Sequence, residues 1–118
     1  MQLPLEVTFR NLDRSEALEA LVHEETAKLE RHFDHIVSCR VTVEAPHRHQ
    51  TKDPKVKGEL YQVHIELGVP QQRLVVSPKG KPAQSDVYKA VRDAFKTANR
   101  QLEDYARRLR GDVKSHAK

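Results

Sequence analysis

Hydrophobic and polar residues trade places along this chain in two distinct rhythms. Leu3, Leu5, Val7 and Phe9 fall on one side of an alternating run and Pro4, Glu6 and Thr8 on the other, which predicts a half-buried strand over residues 3–9. Pro4 cannot donate a ladder hydrogen bond, so this strand belongs at or near an edge. Asn11-Leu12-Asp13 breaks the alternation, and either Asp13 or Ser15 can cap a helix whose first turn carries Glu16 and Glu19. Leu18, Leu21, Val22, Leu29 and Phe33 then recur at helical spacing to about Phe33. Alternation returns with Val37, Cys39, Val41 and Val43 set against Ser38, Arg40, Thr42 and Glu44, ending at Pro46. It returns again with Tyr61, Val63, Ile65, Leu67 and Val69 against Gln62, His64, Glu66 and Gly68. Pro70-Gln71-Gln72 turns the chain into a short strand over Arg73–Ser77. Ser85 or Asp86 caps a last helix that runs to about Arg110, with Gly111 where a helix stop is expected.

The order is therefore β-α-β-β-β-α. One apolar face per strand calls for a sheet covered on one side, so the expected architecture is α+β: a four-stranded mixed sheet with two helices packed on one face. The opening β-α-β unit should cross over right-handedly and make its two strands parallel, leaving the later strands to pair as antiparallel hairpins. Residues 47–58, HRHQTKDPKVKG, are polar, basic and rich in turn formers and read as a long hairpin loop; residues 78–82, PKGKP, form a second basic loop. A length of 118 residues suits one domain, placed at 1–111, with 112–118 as a flexible basic tail.

Composition narrows the class. The first ten residues have neither a basic start nor a long apolar run, so no signal peptide is expected, and no stretch reaches the ~18–20 apolar residues of a membrane span. One cysteine, Cys39, allows no internal disulfide, which suits the cytoplasm. The net charge of +4 conceals a division: residues 1–45 carry five Lys/Arg against nine Asp/Glu, and residues 46–118 carry sixteen against eight. The second part favours a polyanionic partner.

The last helix sharpens that. At ~100° per residue, Val87, Val91, Ala94, Ala98, Leu102, Tyr105 and Leu109 form the core stripe. Lys89, Arg92, Lys96, Arg100, Arg107 and Arg110 form the opposite stripe, interrupted by Glu103 and flanked by Asp93. A face selected for solubility alone mixes signs, and this one is almost single-signed. The first helix divides into acidic early turns (Glu16, Glu19, Glu24, Glu25) and a cationic end (Lys28, Arg31, His32, His35), which complements the helix dipole and extends a basic surface if that end lies beside the last helix. The two loops add Arg48, Lys52, Lys55, Lys57, Lys79 and Lys81. Aromatic residues make up 5% of the chain and the sheet lacks a stacking pair, so nucleic acid would be held through phosphates and shape.

Other chemistry finds little support. His32 and His35, or His47 and His49, lack partners at a recognised metal spacing, so no metal ligand is expected. Four glycines assemble no phosphate loop, no Ser-centred elbow is present, and the carboxylates read as helix-surface charges. The expectation is a non-enzyme without catalytic residues, cofactor, small-molecule substrate or membrane partner.

Three segments carry a resemblance. AKLERHFDHI (27–36) resembles the end of the first helix in the ribosome hibernation-promoting factor and ribosome-associated translation inhibitor family. SDVYKAVRDAF (85–95) resembles the start of that family's last helix, with Asp86, Tyr88, Val91 and Asp93 in its pattern, and NRQLEDYARRLR (99–110) continues the likeness. The resemblance covers essentially the whole chain and implies a cytoplasmic protein that binds the small ribosomal subunit and its ribosomal RNA in the channel used by mRNA and tRNA. It implies inhibition of translation and preservation of idle ribosomes under stress or in stationary phase. By position it assigns RNA contacts to Lys28 and Arg31 on the first helix and to Lys89, Arg92, Lys96 and Arg100 on the last, a row that Arg107 extends. The 47–58 loop looks longer than in compact members, and the chain corresponds to the short form, without the C-terminal domain by which long members pair ribosomes. An older family label, modulation of an alternative sigma factor, has no independent support in these residues. Two other functions stay open: a general double-stranded RNA-binding module, and a protein-interaction regulator acting through the acidic turns from Glu16 to Glu25.

Overall fold

The structure, a computed structural model, describes residues 4–45, 61–77 and 86–109. Its elements follow the expected order: β1 (Leu5–Arg10), α1 (Glu16–His32), β2 (Ser38–Glu44), β3 (Gln62–Val69), β4 (Gln72–Val76) and α2 (Val87–Arg107). The 47–58 and 78–82 loops, Gly111 and the tail from 112 lie outside the described residues.

The sheet runs β1-β2-β3-β4, which makes β1 and β4 its edges. β1 pairs with β2 in parallel, from Leu5↔Cys39 to Arg10↔Glu44, while β2–β3 and β3–β4 are antiparallel. Pro4 sits just ahead of the edge strand, where its missing N–H costs nothing, and its carbonyl accepts from the Cys39 amide at 3.0 Å. Asn11 ends β1 with φ 63°, a left-handed conformation that Asn tolerates, and its Nδ2 donates to the Ala45 carbonyl at 3.1 Å. The β3–β4 turn places Gln71 at φ 73° after Pro70, where Gly is the usual occupant. On the open side of the sheet Gly68 faces Ser38, whose Oγ would lie 2.5 Å from any Cβ added there.

Period-two alternation sends Cys39, Val41, Val43, Val63, Ile65, Leu67, Val69 and Val76 to one face, where they form a single core with both helices. Each fully buried residue of this size contributes ~1.5–3 kcal/mol, so truncating Ile65 or Leu67 would remove a large share of a typical domain's stability. α1 starts at Ser15, whose hydroxyl accepts from the Leu18 amide at 3.2 Å. α2 starts at Asp86, whose carboxylate accepts from the Tyr88 and Lys89 amides at 3.0 and 3.2 Å. Of the two candidates for each cap, Ser15 and Asp86 are therefore the ones used.

Several core assignments need adjustment. Val37, expected on the apolar face of the second strand, lies ahead of β2 and is 56% exposed. Leu109 has the phase of the core stripe but is 53% exposed, because it lies beyond the end of α2 at Arg107 and past the packed core. Leu21 and Phe33 are only half-buried. Thr26 is buried between Val22 and Leu29, with its Oγ1 3.9 Å from Cys39 Sγ.

Candidate nucleic-acid interface

α2 lays Ala90, Val91, Ala94, Phe95, Ala98, Leu102 and Tyr105 against the sheet and α1. The same phase turns Lys89, Arg92, Lys96, Arg100 and Arg107 outward, and all five are exposed. They are not equivalent. Lys89 Nζ lies 3.3 Å from Asp93, and Arg107 is 3.0 Å from Asp104. Arg92, Lys96 and Arg100 have no ion pair among the described residues.

Residues four apart on a helix lie about 6 Å apart along its axis. Unit charges at that distance repel by roughly 0.7 kcal/mol in water, and the spacing is inside the Debye length, so the three cations present one field. Glu103 does not neutralise it by direct pairing: its carboxylate accepts from Asn99 Nδ2 at 3.3 Å. The acids that bind cations on α2 are Asp93 and Asp104, one toward each end of the row. Sequence reading missed Asp104, although its three-residue spacing to Arg107 was a usable signal.

On α1, Lys28 and Arg31 are exposed. Lys28 Nζ lies 3.2 Å from Glu25, and Arg31 has no ion pair among the described residues. A cleft lined by His32 of α1 and its C-cap Phe33, by Leu102 and Tyr105 of α2, and by Leu109 just beyond it shows that the end of α1 lies beside the last turns of α2. Of the basic residues at and just beyond the end of α1, His32 and His35 line this cleft, while Lys28 and Arg31 are not among its lining residues. No hydrogen bond or ion pair connects Lys28 or Arg31 to the α2 row. Arg108, absent from the expected set, is exposed at the α2 C-cap. The basic loop residues Arg48, Lys52, Lys55, Lys57, Lys79 and Lys81 lie outside the described residues.

The open face of the sheet differs in kind. Arg40 lies 3.0 Å from Glu6 and 3.6 Å from Glu66, and Arg73 lies 3.8 Å from Glu66, so these charges are matched across all four strands. Cys39 offers no exposed nucleophile: burial pushes its thiol from 9.0 up to about 11, with the Thr26 contact partly opposing the shift. Among the described residues, no three His, Cys, Asp or Glu side chains gather as a metal site, and no helix is long and apolar enough to cross a membrane.

These features define a class: a small α+β domain whose last helix carries a cationic row that is unpaired among the described residues. Residues 5–110 match the family described as Sigma 54 modulation protein / S30EA ribosomal protein. The chain belongs to that family, and the likeness carried by residues 27–36, 85–95 and 99–110 holds at the family level. It is not a known enzyme family. The fold is similar to the N-terminal domain of Protein Y from Thermus thermophilus, with TM-score 0.61 and 18% identity over 89% of this chain and 99% of that one. It is also similar to a ribosomal subunit interface protein from Coxiella burnetii, with TM-score 0.62 and 17% identity over 88% and 98%. No curated protein matches the chain.

Proposed function

We propose that this protein is a cytoplasmic ribosome-associated factor that binds the small subunit in the mRNA and tRNA channel and thereby inhibits translation or promotes ribosome hibernation under stress. The observation that carries the proposal is the row Arg92, Lys96 and Arg100, three outward cations with no acid paired to them among the described residues. Family membership supports a ribosomal partner, since the family's description names a ribosomal protein and the Coxiella relative is named for the ribosomal subunit interface. Lys89 and Arg107 flank the row, and Lys28 and Arg31 add contacts from the end of α1. The action is steric: the cations neutralise ribosomal RNA phosphates, and the folded body fills space that mRNA and tRNA need. No bond is made or broken.

Salt titration of binding to purified small subunits tests this. With about six phosphates contacted, raising salt from 50 to 200 mM weakens binding by roughly 10³-fold. Affinity that stays constant across that range contradicts the mechanism. Equal affinity for generic RNA duplexes would favour a general double-stranded RNA binder instead.

A further inference from the structure

The cleft between the ends of α1 and α2 is lined by aromatic and aliphatic side chains. Its floor is Leu102 and Val69, both buried, and its walls are the half-buried Phe33 and the ring of Tyr105. Tyr105 is fixed by its hydroxyl, which donates to the Pro70 carbonyl at 3.2 Å. Phe33 is braced by the His32 ring, edge-on at 6.2 Å and 72°. Leu109 forms a lip that is 53% exposed, a large apolar group with no core to cover it.

The rim is polar. His35 Nε2 lies 3.7 Å from the Asp34 carboxylate, and both are exposed. At the helix ends the Leu29 carbonyl accepts from Phe33, and the Asp104 and Tyr105 carbonyls accept from Arg108. The acceptor shown at the opening of this aromatic and aliphatic slot is the Asp34 carboxylate. At about 260 Å³ the slot lies below the ~300–1,000 Å³ of sites for drug-sized ligands, a size for one flat ring system. Arg107 and Arg108 stand on the turn that leads to Leu109, so charged groups on either side of an inserted ring would meet cations.

We propose that this cleft holds a single unstacked RNA base, one bearing an exocyclic amine: adenine, cytosine or guanine. The inference rests on the reading of the protein as a binder of ribosomal RNA. Unpaired bases in RNA are recognised by stacking on side-chain rings and by hydrogen bonds to their exposed edges. The sheet has no aromatic platform; the helix ends supply one, continuous with the cationic helix. An amine edge matches the Asp34 carboxylate at the rim, which the two carbonyls of a uracil edge would not.

The test uses the full chain and purified small ribosomal subunits, probed with dimethyl sulfate and kethoxal for base edges and with hydroxyl radical for backbone. Two variants change the cleft without changing charge: Leu109→Gln removes the lip, and Ala106→Leu fills the slot. Thermal unfolding confirms that both are folded. The wild type should protect at least one base edge that both variants leave reactive. Affinity should fall about tenfold in each variant, within the range for loss of one stacked base, while the backbone footprint persists. Arg92→Gln/Lys96→Gln/Arg100→Gln should instead weaken the backbone footprint. Wild-type base reactivity and affinity in both cleft variants, with subunit binding intact, would overturn the cleft proposal alone and leave the slot to an apolar peptide side chain. A wild-type chain that fails to bind subunits would overturn both readings.

Discussion

The outward face of α2 and the open face of the sheet are both charged and solvent-exposed, yet they are wired oppositely. On the sheet, Arg40 and Arg73 each have a carboxylate within 4 Å, in a ladder running Glu6–Arg40–Glu66–Arg73. On α2, Arg92, Lys96 and Arg100 have no such partner among the described residues, and pairing resumes only at Lys89–Asp93 and Arg107–Asp104. Counting cations would rank the two faces closer than they are. A matched ladder satisfies its own field and supports strand pairing; an unmatched row leaves its field for a partner and adds self-repulsion to the fold.

The largest expected effect on stability lies on the buried side of the same sheet. Because the Cys39 thiol titrates near 11 when folded and at 9.0 ordinarily, the unfolded chain loses that proton first as pH rises. Its contribution is intact below pH 9 and is lost between 9 and 11, a change on the order of 2 kcal/mol. Urea unfolding of wild type against Cys39→Ala should show the steeper alkaline decline in the wild type; parallel curves would mean that the thiol is not held protonated by the fold.

The ladder itself comes next. Arg40→Glu sets a third carboxylate between Glu6 and Glu66 and should cost about 1 kcal/mol, read as a fall of several degrees in Tm. Lys96→Glu relieves repulsion with Arg92 and Arg100 and should leave Tm unchanged or raise it by a few tenths of a kcal/mol equivalent. Equal losses at both sites would erase the distinction between a face that serves the fold and one that does not. The smallest effect sharpens the helix side: Asp93→Asn/Asp104→Asn frees Lys89 and Arg107 and should tighten small-subunit binding about threefold, with a steeper salt dependence. Weaker binding would show that these acids help position the cations.

Much of this was written in the sequence because each strand buries one face. Alternation located β1 to β4 within a residue or two, and helical phasing separated the α2 core from Lys89, Arg92, Lys96, Arg100 and Arg107. What it missed has physical causes. Phase gives a direction and not a partner: Leu102 and Leu109 are about 20° apart in helical phase, but Leu102 of α2 lies in the core and Leu109 lies beyond the end of that helix. Thr26 escaped an apolar search, although the seven-residue gap from Val22 to Leu29 demanded a buried residue between them. The difference between paired and unpaired cations depends on which side chains reach one another. Across strands, as in Arg40 with Glu66, that requires the register. The cleft joins two helix ends about seventy residues apart, which no local pattern reports.

Sedimentation with purified small ribosomal subunits tests the central claim most directly, comparing wild type, Arg92→Glu/Lys96→Glu/Arg100→Glu and Arg40→Glu/Arg73→Glu, each confirmed folded. The account predicts that the helix variant stays in the supernatant while the sheet variant travels with the subunits as the wild type does. A helix variant that co-sediments like the wild type would contradict it.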